Sequence, residues 1–402
     1  MPHKIDLETD LRPAYYDDFH CLAAGCRLSC CKGWRISFNK KDYLSLKRQT
    51  GTDALNSRME NGLHRIRKGP LTDIHFGEFD MSTGDCPLLR EDCLCALQLE
   101  KGHEALPAVC RIFPRAQAYQ PSGCLEKSLS PACEGVLELL WNLPDGVEFR
   151  SDPLPKAERK VLTIADSQPL VPFFPYIREW CVDMLQDRRH PLPERILRMG
   201  AALRELAEGE TDIPAWLVWA QALMEQPGQL RNGQTDTLTM LLSNHLRTLL
   251  QLNSTGGDFR EVVSELTAAL GVTASSIHRV TVPTGPYLAA LARYEEQLPQ
   301  RDYFLENLMV SLFFHLRLPH LSDRDELWKG YVNFCNLYSF YHFMAVMSCR
   351  EGVEDIKQEL FRLTVFASRS LIHNGARQSQ LRDEFFQNDS ATLAHMAILL
   401  GG

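Results

Sequence analysis

The residues with the strongest claim to chemistry are cysteines: ten of the thirteen fall between Cys21 and Cys133. Cys21, Cys26, Cys30 and Cys31 form a first group spaced C-x4-C-x3-C-C, followed by Cys86, Cys93 and Cys95, then Cys110, Cys124 and Cys133. Thiolates are soft ligands, and several on one short loop lower the entropic cost of closing a ring around a metal. A four-sulfur environment suits zinc or an iron–sulfur cluster, and spacing does not separate the two. Two other readings stand beside a metal. Free cysteine is among the most buried residue types, and an exposed thiol of low pKa serves redox or nucleophilic chemistry. The adjacent Cys30-Cys31 pair complicates a single site, because neighbouring side chains are expected to diverge.

The compartment bears on what the cysteines mean. Met1-Pro2-His3-Lys4-Ile5-Asp6 lacks the cationic stretch and apolar run of a secretory signal. No window approaches the roughly 18 uninterrupted apolar residues of a membrane span, and the longest candidate, Leu308 to Leu318, is broken by Ser311, His315 and Arg317. The expectation is a cytoplasmic protein with no membrane partner, where disulfides are rare and dense cysteine points to metal or redox chemistry. A net charge of −8 argues against a nucleic-acid partner, which needs a basic face. The 45% hydrophobic and 23% charged content is that of an ordinary globular chain.

The elements that must position these thiols divide near residue 150. Residues 1–150 hold the cysteines and turn signals such as Lys68-Gly69-Pro70, Ser82-Thr83-Gly84-Asp85 and Gln120-Pro121-Ser122-Gly123. They read as short helices and loops with one small hairpin around Asp73 to Met81, its apolar members being Ile74, Phe76 and Phe79. Leu143-Pro144-Asp145-Gly146 reads as a turn and Asp152-Pro153-Leu154-Pro155 as a linker. Beyond it helical periodicity dominates: Ile196, Met199, Leu203 and Leu206 recur at i, i+3, i+7 and i+10, with Gly209 as a stop. Similar patterns run through Trp216 to Met224, Thr237 to Leu252, Phe259 to Leu270, Pro286 to Leu298, Phe304 to Leu316, Glu326 to Met347 and Val353 to His373. The expected fold is mainly α: a cysteine-rich metal-binding module with little β over 1–150, then an all-helical domain over 151–402.

The cysteine flanks carry a resemblance. Phe19-His20-Cys21, Cys26 and Cys30-Cys31-Lys32-Gly33-Trp34-Arg35-Ile36 resemble the opening of the flagellin lysine-N-methylase family. Cys86-Pro87-Leu88-Leu89, Cys95-Ala96-Leu97 and Cys110-Arg111-Ile112-Phe113-Pro114-Arg115 resemble its second block, and Glu126-Lys127-Ser128-Leu129-Ser130-Pro131-Ala132-Cys133-Glu134 its third. A looser likeness continues in Phe304-Leu305-Glu306-Asn307, Ser368-Arg369 and His373-Asn374. The blocks also resemble a broader set of zinc- or iron-chelating proteins. The resemblance implies methyl transfer from S-adenosylmethionine to lysine ε-amines of flagellin, with a [4Fe-4S] cluster or, alternatively, zinc. It assigns the ligand role to Cys21, Cys26, Cys30, Cys31, Cys86, Cys95, Cys110 and Cys133, and leaves Cys93 and Cys124 outside. Eight exceed four ligands, so either two sites exist or several of these cysteines are structural.

The sequence itself shows little methyltransferase chemistry. No strand–glycine–helix unit of the Rossmann kind occurs, and Gly256-Gly257 reads as a loop. The radical C-x3-C-x2-C motif is started by Cys26 and Cys30, but its third position is Gly33. A radical is not required: a neutral lysine amine is a good nucleophile, and what must be supplied is deprotonation from a pKa near 10.4 and in-line placement. Tyr338, Tyr341 and His342 share helical spacing and offer candidates for a base, though core packing is the better reading of them. Arg369 and His373, at i and i+4, form a polar site with Asn374 or else a solvated helix end. Trp34 is expected against the metal shell. Arg111 and Arg115 flank Cys110, to offset thiolate charge or simply to face solvent. Catalytic and cofactor-binding residues stay unassigned. The alternative class is a non-catalytic metal-binding or electron-transfer protein that docks partners through its helices.

Overall fold

A computed structural model describes residues 3–67, 72–120, 123–164, 170–209, 212–226, 235–252, 257–272, 282–298, 302–321 and 323–401. Within them the chain is mainly α, with sixteen α-helices and nine short strands. The strands are β1 (His3–Leu7), β2 (Thr9–Pro13), β3 (Ser37–Phe38), β4 (Leu63–Arg65), β5 (Gly77–Phe79), β6 (Arg115–Gln120), β7 (Cys124–Leu129), β8 (Phe149–Pro153) and β9 (Lys160–Ile164). Five helices lie in the cysteine-rich part: α1 (Lys40–Lys47), α2 (Asp53–Gly62), α3 (Ala96–Lys101), α4 (Ala108–Ile112) and α5 (Glu134–Trp141). The rest are α6 (Phe174–Gln186), α7 (Leu192–Glu208), α8 (Ile213–Met224), α9 (Thr235–Leu252), α10 (Gly257–Ala269), α11 (Thr284–Gln297), α12 (Asp302–His315), α13 (Arg324–Met347), α14 (Ile356–Ala367), α15 (Gly375–Gln387) and α16 (Leu393–Leu400). No helix among the described residues is long and apolar enough to cross a membrane.

The strands make three sheets. β1 pairs with β9; β6-β7-β2-β8 form a four-stranded sheet in which only β2 and β7 run parallel; β3-β5-β4 form a small antiparallel sheet. β6 alternates exposed Arg115, Gln117 and Tyr119 with half-buried Ala116 and Ala118, the period-two pattern of a strand with one covered face. The stretch expected as one hairpin, Asp73 to Met81, supplies only the middle strand of the β3-β5-β4 sheet. Phe79 is buried there, but Ile74 is 72% exposed. The expected linker also differs: Asp152 and Pro153 belong to β8, which pairs along β2 from Thr9↔Pro153 to Pro13↔Phe149, and Leu154 is buried. Lys68-Gly69-Pro70, Pro121-Ser122 and Gly256 lie outside the described residues.

The helical readings match well. Ile196, Met199, Leu203 and Leu206 are buried on α7, which stops at Gly209. α13 is buried almost all round, which marks a central helix. Its first turn is fixed by the Asp323 side chain, which accepts a hydrogen bond from the Asp325 N–H. Tyr338 and Tyr341 lie in this core, and the Tyr341 hydroxyl shares a 2.8 Å hydrogen bond with Ser368. One large apolar core joins α6 to α16 with Tyr15, Phe19, Leu129, Val136, Leu137 and Leu140 from the first 150 residues. The two family-like residues on α12 act as ties. Asn307 donates to the carbonyls of Leu140 (3.0 Å) and Leu143 (2.8 Å), and buried Glu306 pairs with Arg188 and Arg195. A second, smaller core gathers Ile36, Phe38, Leu46, Phe79, Leu88 and Leu97, with Cys31, Trp34, Cys95 and Cys110 packed on its edge. The cysteine site sits where the two cores meet.

Candidate metal centre

The first cysteine loop is shaped by backbone bonds and one buried carboxylate. Glu134, 1% exposed at the start of α5, accepts from the backbone N–H of Arg27 (2.6 Å) and Leu28 (2.8 Å) and from the Cys26 thiol (3.4 Å). The chain then turns at Gly33, whose φ of 78° favours glycine. This lets the Gly33 N–H reach the Gly84 carbonyl at 2.8 Å and the Cys31 carbonyl accept from the Cys86 N–H at 2.8 Å. Cys86 is thereby laid beside Cys30-Cys31. Cys95 follows a tight turn with a Leu89–Cys95 bridge and opens α3; Cys110 lies on α4; Cys133 precedes α5.

These segments line one cleft of about 820 Å³, a volume in the range of ligand pockets. Cys30, Cys31, Cys86, Cys95 and Cys110 lie on its wall with Trp34, Phe113, Ser130, His315, Arg369 and His373. The divergence expected of Cys30 and Cys31 is not observed, since both reach the cleft and their thiols are within hydrogen-bonding reach of each other. Cys21, Cys26 and Cys133 do not line the cleft, though Cys133 is within electrostatic reach of Cys21, Cys26 and Cys30. Cys93 is exposed on the turn before Cys95, and Cys124 lies at the start of β7 beside Thr9; neither lines the cleft. All thirteen cysteines are free thiols.

Burial and neighbouring groups keep Cys26, Cys30, Cys31, Cys110 and Cys133 protonated without a metal. Burial, then the Glu134 charge, pushes Cys26 up to about 12. Burial, then Cys30 and Cys95, pushes Cys110 up to about 12, and burial raises Cys133 to about 11. The hydrogen bond with Cys31, then burial, raises Cys30. For Cys31 the bond with Cys30 favours the thiolate, but the bond with Cys86 and burial outweigh it. A metal bound here displaces those protons.

Arg369 lines the same cleft, in the π-helical turn Ser368–Ile372 that follows α14. It is buried, and its guanidinium donates to the carbonyls of Leu28 (2.7 Å), Lys32 (3.0 Å) and Ala132 (3.2 Å) and lies 5.4 Å from the Trp34 ring centre. Burial disfavours its charge, and the nearby groups that favour it are Cys30, Cys133, Cys26 and Cys31. The solvated-helix-end reading therefore fails for Arg369. His373, one turn on, faces the cleft, packs edge-to-face on Trp34 at 4.8 Å and shares a 2.7 Å hydrogen bond with Ser130. His315 bonds Ser128 at 2.9 Å. Burial lowers both histidines to about 4, so both are neutral near pH 7. Arg115 lines the cleft but is exposed, with its guanidinium over Phe19, and Arg111 pairs with Glu104.

Among the described residues, no three histidine, cysteine, aspartate or glutamate side chains are gathered as a site for one metal ion. The donor chemistry still fits a thiolate-bound group: five thiols share one wall, and the fixed charge facing them is cationic.

The chain is mainly α and carries a cysteine-lined cleft to which Arg369, His373 and Asn374 contribute. The model of the FliB lysine N-methylase C-terminal domain matches residues 178–399. The lysine-N-methylases of Salmonella choleraesuis (strain SC-B67) and Salmonella typhimurium (strain LT2) are each 32% identical over 378 residues, 85% of this chain and 86% of theirs. A flagellar biosynthetic protein FliU of Salmonella muenchen is 33% identical over 144 residues, 35% of this chain and 80% of its own. The chain belongs to the FliB lysine N-methylase family. No solved structure matches it.

Proposed function

We propose that the chain is a protein-lysine N-methyltransferase that takes its methyl group from S-adenosylmethionine and modifies lysine ε-amines of flagellin in the cytoplasm. The observation that carries this reading is the cleft. It brings Arg369 and His373 of the family-matched region onto the same wall as five cysteines. When bound, S-adenosylmethionine supplies an electrophilic methyl group: the amine nitrogen forms the N–C bond, the C–S bond breaks with its electron pair returning to sulfur, and the amine proton leaves to solvent.

The residues lining the cleft support that reading. The Trp34 and Phe113 rings, 5.1 Å apart, offer π-faces to a sulfonium cation. Neutral His315 and His373 add no positive charge beyond that of Arg369, whose guanidinium already lies over the Trp34 ring. The apolar lining disfavours an ammonium and so favours the neutral amine that attacks. A [4Fe-4S] cluster held by members of the set Cys21, Cys26, Cys30, Cys31, Cys86, Cys95, Cys110 and Cys133 would tie the loops forming this cleft to one another.

The test is anaerobically purified, metal-replete protein incubated with S-adenosylmethionine and flagellin. A mass gain of one methyl unit per modified lysine is expected, with iron and sulfide present and little zinc. Reversible redox chemistry with no S-adenosylmethionine binding and no mass gain would instead establish a non-catalytic electron carrier.

A further inference from the structure

A buried cation without an anion is costly, because burial removes its hydration and nothing replaces the lost charge interaction. Arg369 is in that position. It is 5% exposed, and among the described residues no carboxylate pairs with it. Its donors reach three carbonyls, which satisfy hydrogen bonding but carry no net charge. Those carbonyls belong to Leu28 and Lys32, on the loop with Cys26, Cys30 and Cys31, and to Ala132, next to Cys133. Elsewhere in the molecule buried arginines have carboxylates: Arg178 has Glu126 at 2.8 Å, Arg195 has Glu306 at 2.6 Å, and Arg198 has Glu194 at 2.7 Å. Arg369 faces thiols instead.

We propose that Arg369 is the counter-cation of the cysteine site, and that the anions it faces are the cysteine thiolates that exist once a metal group is bound. This rests on the reading that the cysteines hold such a group. Four thiolates around zinc leave a net charge of −2, and a thiolate-bound iron–sulfur cluster is also anionic, so a fixed positive charge stabilises either one. Arg369 is therefore a positioning residue with two separable roles. Its planar fork holds the Leu28, Lys32 and Ala132 carbonyls, and its charge favours the ligated state.

Two substitutions separate these roles. Arg369→Lys keeps the charge and loses the fork, whereas Arg369→Gln keeps amide donors and loses the charge. Full-length apo-protein is titrated with zinc against a chromophoric chelator, and iron and sulfide are measured on anaerobically purified protein. Circular dichroism restricts the comparison to folded variants. Zinc affinity should fall about 10–100-fold in Arg369→Gln, the usual effect of losing a partner of a metal site, and by less in Arg369→Lys. In cluster-bearing protein, Arg369→Gln should shift the reduction potential negative, which a purely structural role would not do. Wild-type affinity and potential in Arg369→Gln would overturn the inference while leaving the metal reading intact, as would a Lys variant weaker than the Gln variant. Wild-type protein that binds neither zinc nor iron would overturn both.

Discussion

At the residue scale, the cleft cysteines and the two set apart from them make opposite expectations. Cys31 and Cys86 lie side by side on the cleft wall, with their thiols within hydrogen-bonding reach. Cys31→Ser or Cys86→Ser should strip most of the iron or zinc from purified protein, whereas Cys93→Ser and Cys124→Ser should retain it; metal analysis of the four variants decides. Glu134 tests the loop rather than the ligands. It accepts two backbone N–H groups and one thiol from a buried position, and Glu134→Ala leaves those donors unsatisfied. The expected loss is about 1–3 kcal/mol of unfolding free energy, read from urea titration of the metal-free protein. Cysteine spacing made the thiols legible, and their flanks made Trp34 legible. Glu134 and the outcome for Arg369 were not, because a lone charged residue at a helix end reads as solvated until tertiary packing brings the carbonyls of distant loops to it.

At the scale of elements, helices were readable and strands were not. α7 carries apolar residues at strict helical spacing and ends at Gly209, so period and punctuation agree. β2, β6, β7 and β8 are five or six residues long and mix charged with apolar positions, and the parallel β2–β7 pairing joins segments more than a hundred residues apart. No local pattern encodes that. Packing between helices gives its own prediction at Gly200, where α7 crosses α13. A methyl group there would meet the buried Tyr331 ring at 2.0 Å. Gly200→Ala should cost about 1–3 kcal/mol through overpacking despite its better helix propensity, seen as a lower urea midpoint. α9 packs its buried His245 against α13, stacked on Phe343 at 4.9 Å and bonded to Ser339 at 3.1 Å. Burial, then His342, lowers His245 to about 3. The unfolded chain, titrating near 6.5, binds the proton first on acidification, so this contribution is complete above that pH and declines from there toward pH 3. Between pH 6 and 4, His245→Leu should show a flatter fall of unfolding free energy than wild type, by up to about 1.4 kcal/mol per pH unit. An unchanged slope would show that His245 is not held neutral.

At the scale of the whole molecule, the cysteine-lined cleft and the helical core are one mechanical problem. The cleft wall comes from four separate segments around Cys30, Cys86, Cys95 and Cys110, and the C-terminal Arg369 clamps the first of these to Ala132. Ala132 adjoins α5, whose Val136, Leu137 and Leu140 lie in the core shared with α6 to α16, and Asn307 of α12 holds the end of the same helix. A ligand that binds the folded state alone stabilises everything that must unfold with its site, by RT ln(1 + [L]/Kd). If the cleft loops were an independent appendage, chelating the metal would release them and leave the helical core's melting temperature unchanged. The continuous path from Cys30 through Arg369 and α5 into the large core requires otherwise. Removing the metal should lower the main thermal transition and should also expose the loop around Arg90 to Cys95 to protease. That loop is open to solvent on its outer side and is held by the Arg90–Asp92 pair and the Leu89–Cys95 bridge. Calorimetry and timed proteolysis on matched apo and metal-loaded samples measure the two effects. Proteolysis without a shift in the main transition would mean that the clamp at Arg369 does not couple the halves of the molecule.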